Sequence, residues 1–170
     1  MGLTMLLYHP LTDVNHCMYR LLNLTLHIEG DIQFEKLRVV DFYYLFPHLL
    51  NEIKPWPTDI KKFKKFLPSN KKSFEHISNK KKVFFELNSI QKQAIAILVS
   101  KDLINIDKIK NGVVSLNKEK LPEAIYNELG KDSFSKSDCF SILTDALINS
   151  NWNGKNGLKL KTGLLEYRYD

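Results

Sequence analysis

Glycine is scarce in this chain, with seven in 170 residues, and none stands in the GxxxxGK order of a phosphate-binding loop. Without that loop there is no predicted backbone cradle for nucleotide phosphates. Cysteine is scarcer still, at Cys17 and Cys139 only. Both fall on apolar faces of predicted helices and read as reduced, partly buried thiols rather than a disulfide. No Gly-x-Ser-x-Gly turn and no Cys–His nucleophile context occurs. Carboxylates are scattered (Asp31, Glu35, Asp41, Asp59, Glu75, Glu86), with no Asp…Glu-x-Lys arrangement of the kind that holds a divalent ion in nucleases. Five histidines raise the question of a metal, and His9, His16, Cys17 and His27 lie close together in sequence. His16 and Cys17 are adjacent, however, so they cannot face one point on a helix, and no second pair supplies the missing ligands. The reading is of a non-enzyme with no catalytic residue, metal or cofactor. Long hydrophobic runs are missing too. Met5-Leu6-Leu7-Tyr8 is far short of the roughly 20 residues of a membrane span, and no basic region precedes it. A soluble, cytoplasmic chain that does not enter a membrane is expected.

What is present suits a globular protein. A chain of this length predicts one domain, or one with a small appendage, that buries roughly two-thirds of its unfolded surface. An apolar fraction of 44%, with 11% aromatics, excludes wholesale disorder. Charge is unevenly placed. Ten lysines stand between Lys54 and Lys82 against Asp59 and Glu75 alone, so that segment carries +8 while the whole chain carries +6. The basic pI belongs to one stretch of sequence.

The periodicities predict a mainly α protein with a small β part: a helical N-terminal lobe plus a winged-helix-like lobe. After a short extended lead-in (Met5–Pro10), Thr12 or Asp13 caps a first helix with the stripe Val14, Cys17/Met18, Leu21, Leu24/Thr25, Ile28. His16, three residues after Asp13, reads as its first-turn hydrogen-bond partner. Gly30-Asp31 separates this helix from a second, with Asp31 as N-cap and Pro47 as its end, leaving His48–Ile53 as a further turn or two. Pro55-Trp56-Pro57 is a stiff break. The Lys-rich stretch after it interleaves Phe63, Phe66, Phe74, Ile77 and Phe84 among the charges, which predicts short surface structure pinned by aromatics. Asn88 and Gln91 read as a capping pair for a helix with stripe Ile90, Ala94, Ile97, Leu98. Asn111-Gly112 between IDKIK and VVSL predicts a hairpin, with Ile106–Leu116 as a wing. Leu121-Pro122 opens a short helix (Glu123–Leu129), and Ser135 caps a last one to about Asn149. The LKLKTGLLEYRYD tail reads as one or two short strands. The segments are thus 1–53 (N-terminal helical lobe), 54–83 (Lys-rich surface segment) and 84–170 (winged-helix-like lobe with a C-terminal helix and short strands).

Three polar residues stand in apolar company: Arg20 on the first helix, Arg38 and Asp41 three apart on the second. They read either as a solvated face or as an internal or interface ion pair holding the helices in register, since arginine can grip a carboxylate with both nitrogens while its stem packs on apolar neighbours. Opposite the Leu37–Leu45 side of the second helix lie Phe42, Tyr43 and Phe46. A helix apolar nearly all round needs cover on more than one side, and one small core is not expected to supply it. Arg20, Arg38, Asp41, Phe42, Tyr43 and Phe46 are therefore candidate contacts to a partner subunit.

The lysines Lys61, Lys62, Lys64, Lys65, Lys71, Lys72, Lys80, Lys81 and Lys82, with Lys108 and Lys110 on the wing, have three readings. They are a solvated face, a non-specific contact to the phosphates of double-stranded DNA, or a docking surface for an acidic partner. The absence of arginine from the cluster argues against reading of guanine edges. The helix before the wing offers only Gln91, Lys92 and Gln93 as polar equipment. A winged-helix DNA-binding transcriptional regulator, acting as a homodimer, is the alternative reading, but protein docking fits this lobe better.

The wording of the first third points further. Tyr8-His9-Pro10, an Asp-x-x-His-Cys turn at Asp13–Cys17, Arg20-Leu21-Leu22 and the Asp-Phe-Tyr-x-Leu-Phe-Pro run at Asp41–Pro47 resemble the middle component of bacterial ABC-three-component, Lamassu-like anti-phage systems. The resemblance is strongest over residues 6–53, thinner over 84–125 and not visible beyond. It implies an adaptor that accompanies an SMC-like, ABC-type ATPase dimer and an effector subunit, often a nuclease, and helps restrain that effector until foreign DNA is sensed.

Overall fold

The computed structural model describes residues 9–69 and 77–165. The lead-in Met5–Tyr8, the positions Lys71, Lys72, Phe74 and Glu75, and the last five residues of the tail lie outside them. The first helix, α1 (Val14–His27), starts where Asp13 caps it: the carboxylate accepts from the backbone N–H of Asn15 at 2.8 Å and of His16 at 3.1 Å. Its predicted stripe goes inward, with Cys17, Leu21, Leu24, Thr25 and Ile28 buried. Buried alcohols on a helix need an acceptor, and Thr25 donates to the carbonyl of Leu21 at 2.7 Å.

Asp31 does not cap the second helix. Ile32–Gln33 instead forms a two-residue strand, β1, and α2 begins at Phe34 and runs to Leu45. The strand draws these residues out of the helix because Ile32 pairs with Val114 and Gln33 with Val113, antiparallel, on β2 (Val113–Val114). Pro47 ends α2 and opens a 3₁₀ turn over Pro47–Glu52.

Within the Lys-rich segment, Thr58–Phe66 forms a second 3₁₀ stretch, with one non-helical residue at Ile60. A 3₁₀ helix has three residues per turn, so positions three apart eclipse. Ile-Lys-Lys-Phe-Lys-Lys-Phe has that period: Ile60, Phe63 and Phe66 form one line, Lys61 and Lys64 a second, Lys62 and Lys65 a third. The first line packs on the core and the other two stand in solvent.

The next helix, α3 (Lys80–Ser100), begins eight residues before the predicted start at Asn88. Asn79 caps it, accepting from Lys82 N–H at 3.0 Å. Nothing between Lys80 and Asn88 breaks a helix, and Phe84 and Leu87 extend the inward stripe that continues through Gln91, Ala94 and Leu98. Asn88 and Gln91 are therefore mid-helix, not a capping pair.

The hairpin over Ile106–Leu116 does not form. Ile106–Ile109 is a single helical turn, α4, capped by Asn105, whose side chain accepts from Lys108 N–H at 3.0 Å. Ile106 and Ile109, three apart, share one side of a helical turn, whereas a strand would point them to opposite faces, and the Asn105 cap closes the turn. The strand that follows, β2, then pairs with β1 across a long sequence separation. An isolated bridge joins Ile104 to Leu116.

Behind Pro122 comes α5 (Glu123–Gly130), as predicted. The last long helix starts at α6 (Asp138–Ser141) and continues as a π-helical turn over Ile142–Leu147. Its cap is Ser137, not Ser135, whose hydroxyl donates to Asp132 instead. Where short strands were expected, Leu158–Thr162 forms a five-residue helix, α7, ended by Gly163 in the left-handed region at φ 62°. Leu158, Thr162 and Leu164 are buried, and one helical turn brings the first two to a single side.

All three segments of the sequence contribute to one hydrophobic cluster. It extends from Cys17 and Leu21 through Leu37, Val40 and Phe42, Ile60, and Phe84 and Leu98 to Phe140, Leu147 and Leu164. Among pairs of elements, α1 and α3 are in the most extensive contact, and α2 packs against both. The architecture is mainly α with a minimal two-stranded sheet.

Candidate functional site

The polar residues singled out in the first third meet at the junction of α1, α2 and α3. Arg20 grips Asp41 with two nitrogens, Nε to Oδ1 at 2.6 Å and Nη2 to Oδ2 at 3.1 Å, and both side chains are wholly inaccessible to solvent. The partner of Asp41 is therefore Arg20, from the neighbouring helix, rather than Arg38 on its own. Gln91, on the inward stripe of α3, donates from Nε2 to Asp41 Oδ2 at 2.8 Å. Arg38 turns to α3 instead: Nε donates to Gln91 Oε1 at 2.9 Å, and its guanidinium lies 4.5 Å from the centre of the Phe84 ring. Arg20 Nη1 approaches His16 Nδ1 at 2.6 Å, and since a guanidinium only donates, that ring nitrogen accepts.

The electrostatics follow from this packing. Burial works against the charge on Arg20, but the attraction and hydrogen bonds of Asp41 outweigh it, and its basicity rises. Burial, with the nearby Arg20 charge, pushes His16 below its ordinary value. Burial also lowers Arg38, which the charge of Glu35 offsets only in part, and among the described residues its Nη2 has no hydrogen bond. These groups form a structural lock. Phe42 and Tyr43 are fully enclosed and Phe46 is 5% exposed, so the apolar residues of α2 belong to the chain's own core. The expectation that one small core could not cover both sides of α2 fails because α3 and the π-turn close over the side that α1 leaves open.

The thiols are placed where the sequence put them, with Cys17 buried and Cys139 half-buried, both free. Burial pushes Cys17 up to about 12 and Cys139 up to about 11, leaving little thiolate for nucleophilic chemistry. Among the described residues, no cluster of three His, Cys, Asp or Glu could hold a metal, and no helix is long and apolar enough to cross a membrane.

The lysines divide into classes that their sequence did not separate. Lys62 and Lys65 lie over the rings of Phe63 and Phe66, at 5.2 and 5.0 Å. Lys80 and Lys82, with Lys81 between them, form the first turn of α3, where they pair with Glu52 at 3.2 Å and Glu86 at 3.9 Å. Lys108 pairs with Asp31 at 2.9 Å and Lys110 with Asp107 at 3.5 Å, so the lysines of the expected wing are matched within the chain. Lys61 and Lys64 line one hollow beside Lys54 and Trp56.

The model of ABC-three component (ABC-3C) system Middle Component 5 matches residues 6–170. The chain belongs to that family. No curated protein and no solved structure matches it. The match to the middle-component family runs to the last residue, well past residue 125, where the resemblance read from the motifs stopped.

In this middle component the open apolar surface lies away from α2. A groove of about 350 Å³ between α1, the end of α3 and α5 is lined by Met18, Tyr19, Leu22, Leu98, Ile125 and Leu129, among others. Beside it Tyr126 is 56% exposed and Ile125 36%. Tyr19 donates its hydroxyl to Asp132, tying α1 to the end of α5 at the edge of that groove. Gln91 is the member of the buried polar network that sequence reasoning missed. Its signal was available: a polar residue on the apolar line Phe84, Leu87, Ala94, Leu98 has no reason to face inward unless a buried partner awaits it.

Proposed function

We propose that the protein is the non-enzymatic adaptor of an ABC-three-component anti-phage system of the Lamassu-like kind. It bridges an SMC-like, ABC-type ATPase dimer and an effector, a nuclease, and helps keep that effector inactive until foreign DNA is sensed. The observation that carries this reading is the family match along nearly the whole chain. The geometry supports it from the residues upward. The polar groups of the motif-bearing third hold three helices in one arrangement, which suits a rigid spacer between subunits. Contact with those subunits then falls to the outside, where the described large apolar side chains left exposed are Ile106, Ile125, Tyr126 and Leu160. Lys80, Lys81 and Lys82, in the first turn of α3, supply a surface for non-specific contact with duplex DNA. The winged-helix regulator draws no support from the geometry, because a helical turn occupies the wing and its lysines are paired.

Co-expression of this chain with an ATPase and an effector of its own three-component system tests the reading. One assembly containing all three should elute in size exclusion, and omission of this chain should leave the ATPase and effector apart, with the effector cleaving DNA unrestrained. An ATPase–effector complex that forms and is regulated without this chain would sink it.

A further inference from the structure

The period-three lysine pattern places Lys61 and Lys64 on consecutive turns of the 3₁₀ stretch, one above the other. Lys54, on the other side of the Pro55-Trp56-Pro57 corner, faces them across an open hollow of about 580 Å³ walled by Trp56, Pro55 and Thr58. A second hollow of about 230 Å³ adjoins it and shares Lys54, Trp56 and Lys64. The indole is held in place, because Nε1 donates to the carbonyl of Ile60 at 3.1 Å, while the residue stays half-buried rather than enclosed. Among the described residues, no carboxylate pairs with Lys54, Lys61 or Lys64, although most other lysines of known position in this region have a partner. Asp59 and Glu52 are the acids nearest in sequence, and both are engaged elsewhere: Asp59 Oδ2 accepts from Ser150 Oγ at 3.0 Å and from Asn151 N–H at 2.8 Å, and Glu52 pairs with Lys80 at 3.2 Å.

Three point charges around a fixed aromatic wall match one ligand chemistry well. A single strand of nucleic acid presents phosphates for the ammonium groups and a flat base for the indole, whereas in a duplex the bases are already stacked on one another. We propose that Lys54, Trp56, Lys61 and Lys64 form a binding site for single-stranded nucleic acid, with phosphates held by the three lysines and one base stacked on Trp56. Lysine without arginine makes the site indifferent to sequence. An acidic protein surface would use the lysines but has no need of the indole between them. The site does not depend on the bridging role, and its test uses this chain alone, so either reading can fail without the other.

The experiment measures anisotropy of a fluorescein-labelled oligothymidine with the full chain over a series of salt concentrations. A hairpin duplex and a polyglutamate peptide serve as competing probes. The oligothymidine should bind, and Lys54→Gln/Lys61→Gln/Lys64→Gln should weaken it and flatten the slope of log K against log salt by about 2, at about 0.7 per phosphate on a single strand. Trp56→Leu should weaken binding roughly fivefold or more, and Trp56→Phe, which keeps an aromatic face, should recover most of it. The three lysines are exposed, so the triple variant should melt like the parent, and it keeps the test decisive if a Trp56 variant fails to fold. Equal affinity for the duplex with no effect of Trp56→Leu would overturn the proposal in favour of plain backbone contact. Binding of polyglutamate that the triple variant abolishes, with oligothymidine unbound, would overturn it in favour of an acidic protein partner.

Discussion

Asp41 has no access to water, and its two oxygens accept three hydrogen bonds from Arg20 and Gln91. Removing the acid would leave a guanidinium charge enclosed with nothing to balance it, which typically costs about 3–5 kcal/mol. Asp41→Ala should therefore lower stability by about that amount in urea titration, far more than an ordinary surface change. The paired replacement Arg20→Met/Asp41→Leu should recover most of the loss, because it removes both charges and keeps the volume apolar. A double variant as unstable as Asp41→Ala alone would count against the pair as the origin of the effect. His16, one turn away on α1, adds a dependence on pH. Its folded value lies below the ordinary value of about 6.5, so the unfolded chain takes up a proton there first. Stability contributed by neutral His16 is complete above about pH 6.5 and is lost as pH falls from there toward the folded value. The parent should show a decline in urea midpoint below pH 6.5 that His16→Gln lacks; matching profiles would remove His16 from the account.

At the scale of elements, α3 opens with three lysines at the end of the helix where the backbone dipole is positive. Cations there are unfavourable, and the exposed pairs with Glu52 and Glu86 offset this only slightly, since such pairs are worth about 0–1 kcal/mol. Lys80→Glu/Lys81→Glu/Lys82→Glu should accordingly leave the fold intact, with a melting temperature equal to the parent's or higher. If these lysines serve the assembled complex as a duplex contact, the same triple variant should lose DNA affinity while still co-eluting with its partner subunits. A collapse of the fold, or loss of assembly with DNA binding unchanged, would assign them to structure or to an acidic partner respectively. Elements also mark where the sequence could be read and where it could not. The caps at Asp13 and the stop at Pro47 are local chemistry, and so are the bounds of α1 and the end of α2. The start of α3 was obscured by charge: Lys80–Lys82 looked like more of the surface segment, although Phe84 and Leu87 already carry the stripe that Leu98 completes.

For the whole molecule, residues 6–170 form one family unit and the described elements share one core. The sequence by itself determined the α-rich class, the inward stripe of α1, the concentration of positive charge and the family motifs, because each depends on spacing within a few residues or on composition. It also marked Arg20 and Asp41 as polar groups in apolar company. Only the tertiary structure decided their partners. The two-residue sheet joins Ile32–Gln33 to Val113–Val114 across some eighty residues, and a strand that short has no periodicity to read. Arg38 could meet Asp41 by spacing along α2, yet Asp41 took Arg20 because α1 lies across that face and presents two guanidinium nitrogens, Nε and Nη2, to its two oxygens. Likewise the line Lys61–Lys64 faces Trp56 only because the chain turns at Pro55 and Pro57 and then winds at three residues per turn. Contacts within a turn or two are encoded where they occur, whereas a buried charge takes whichever partner the packing of other helices delivers.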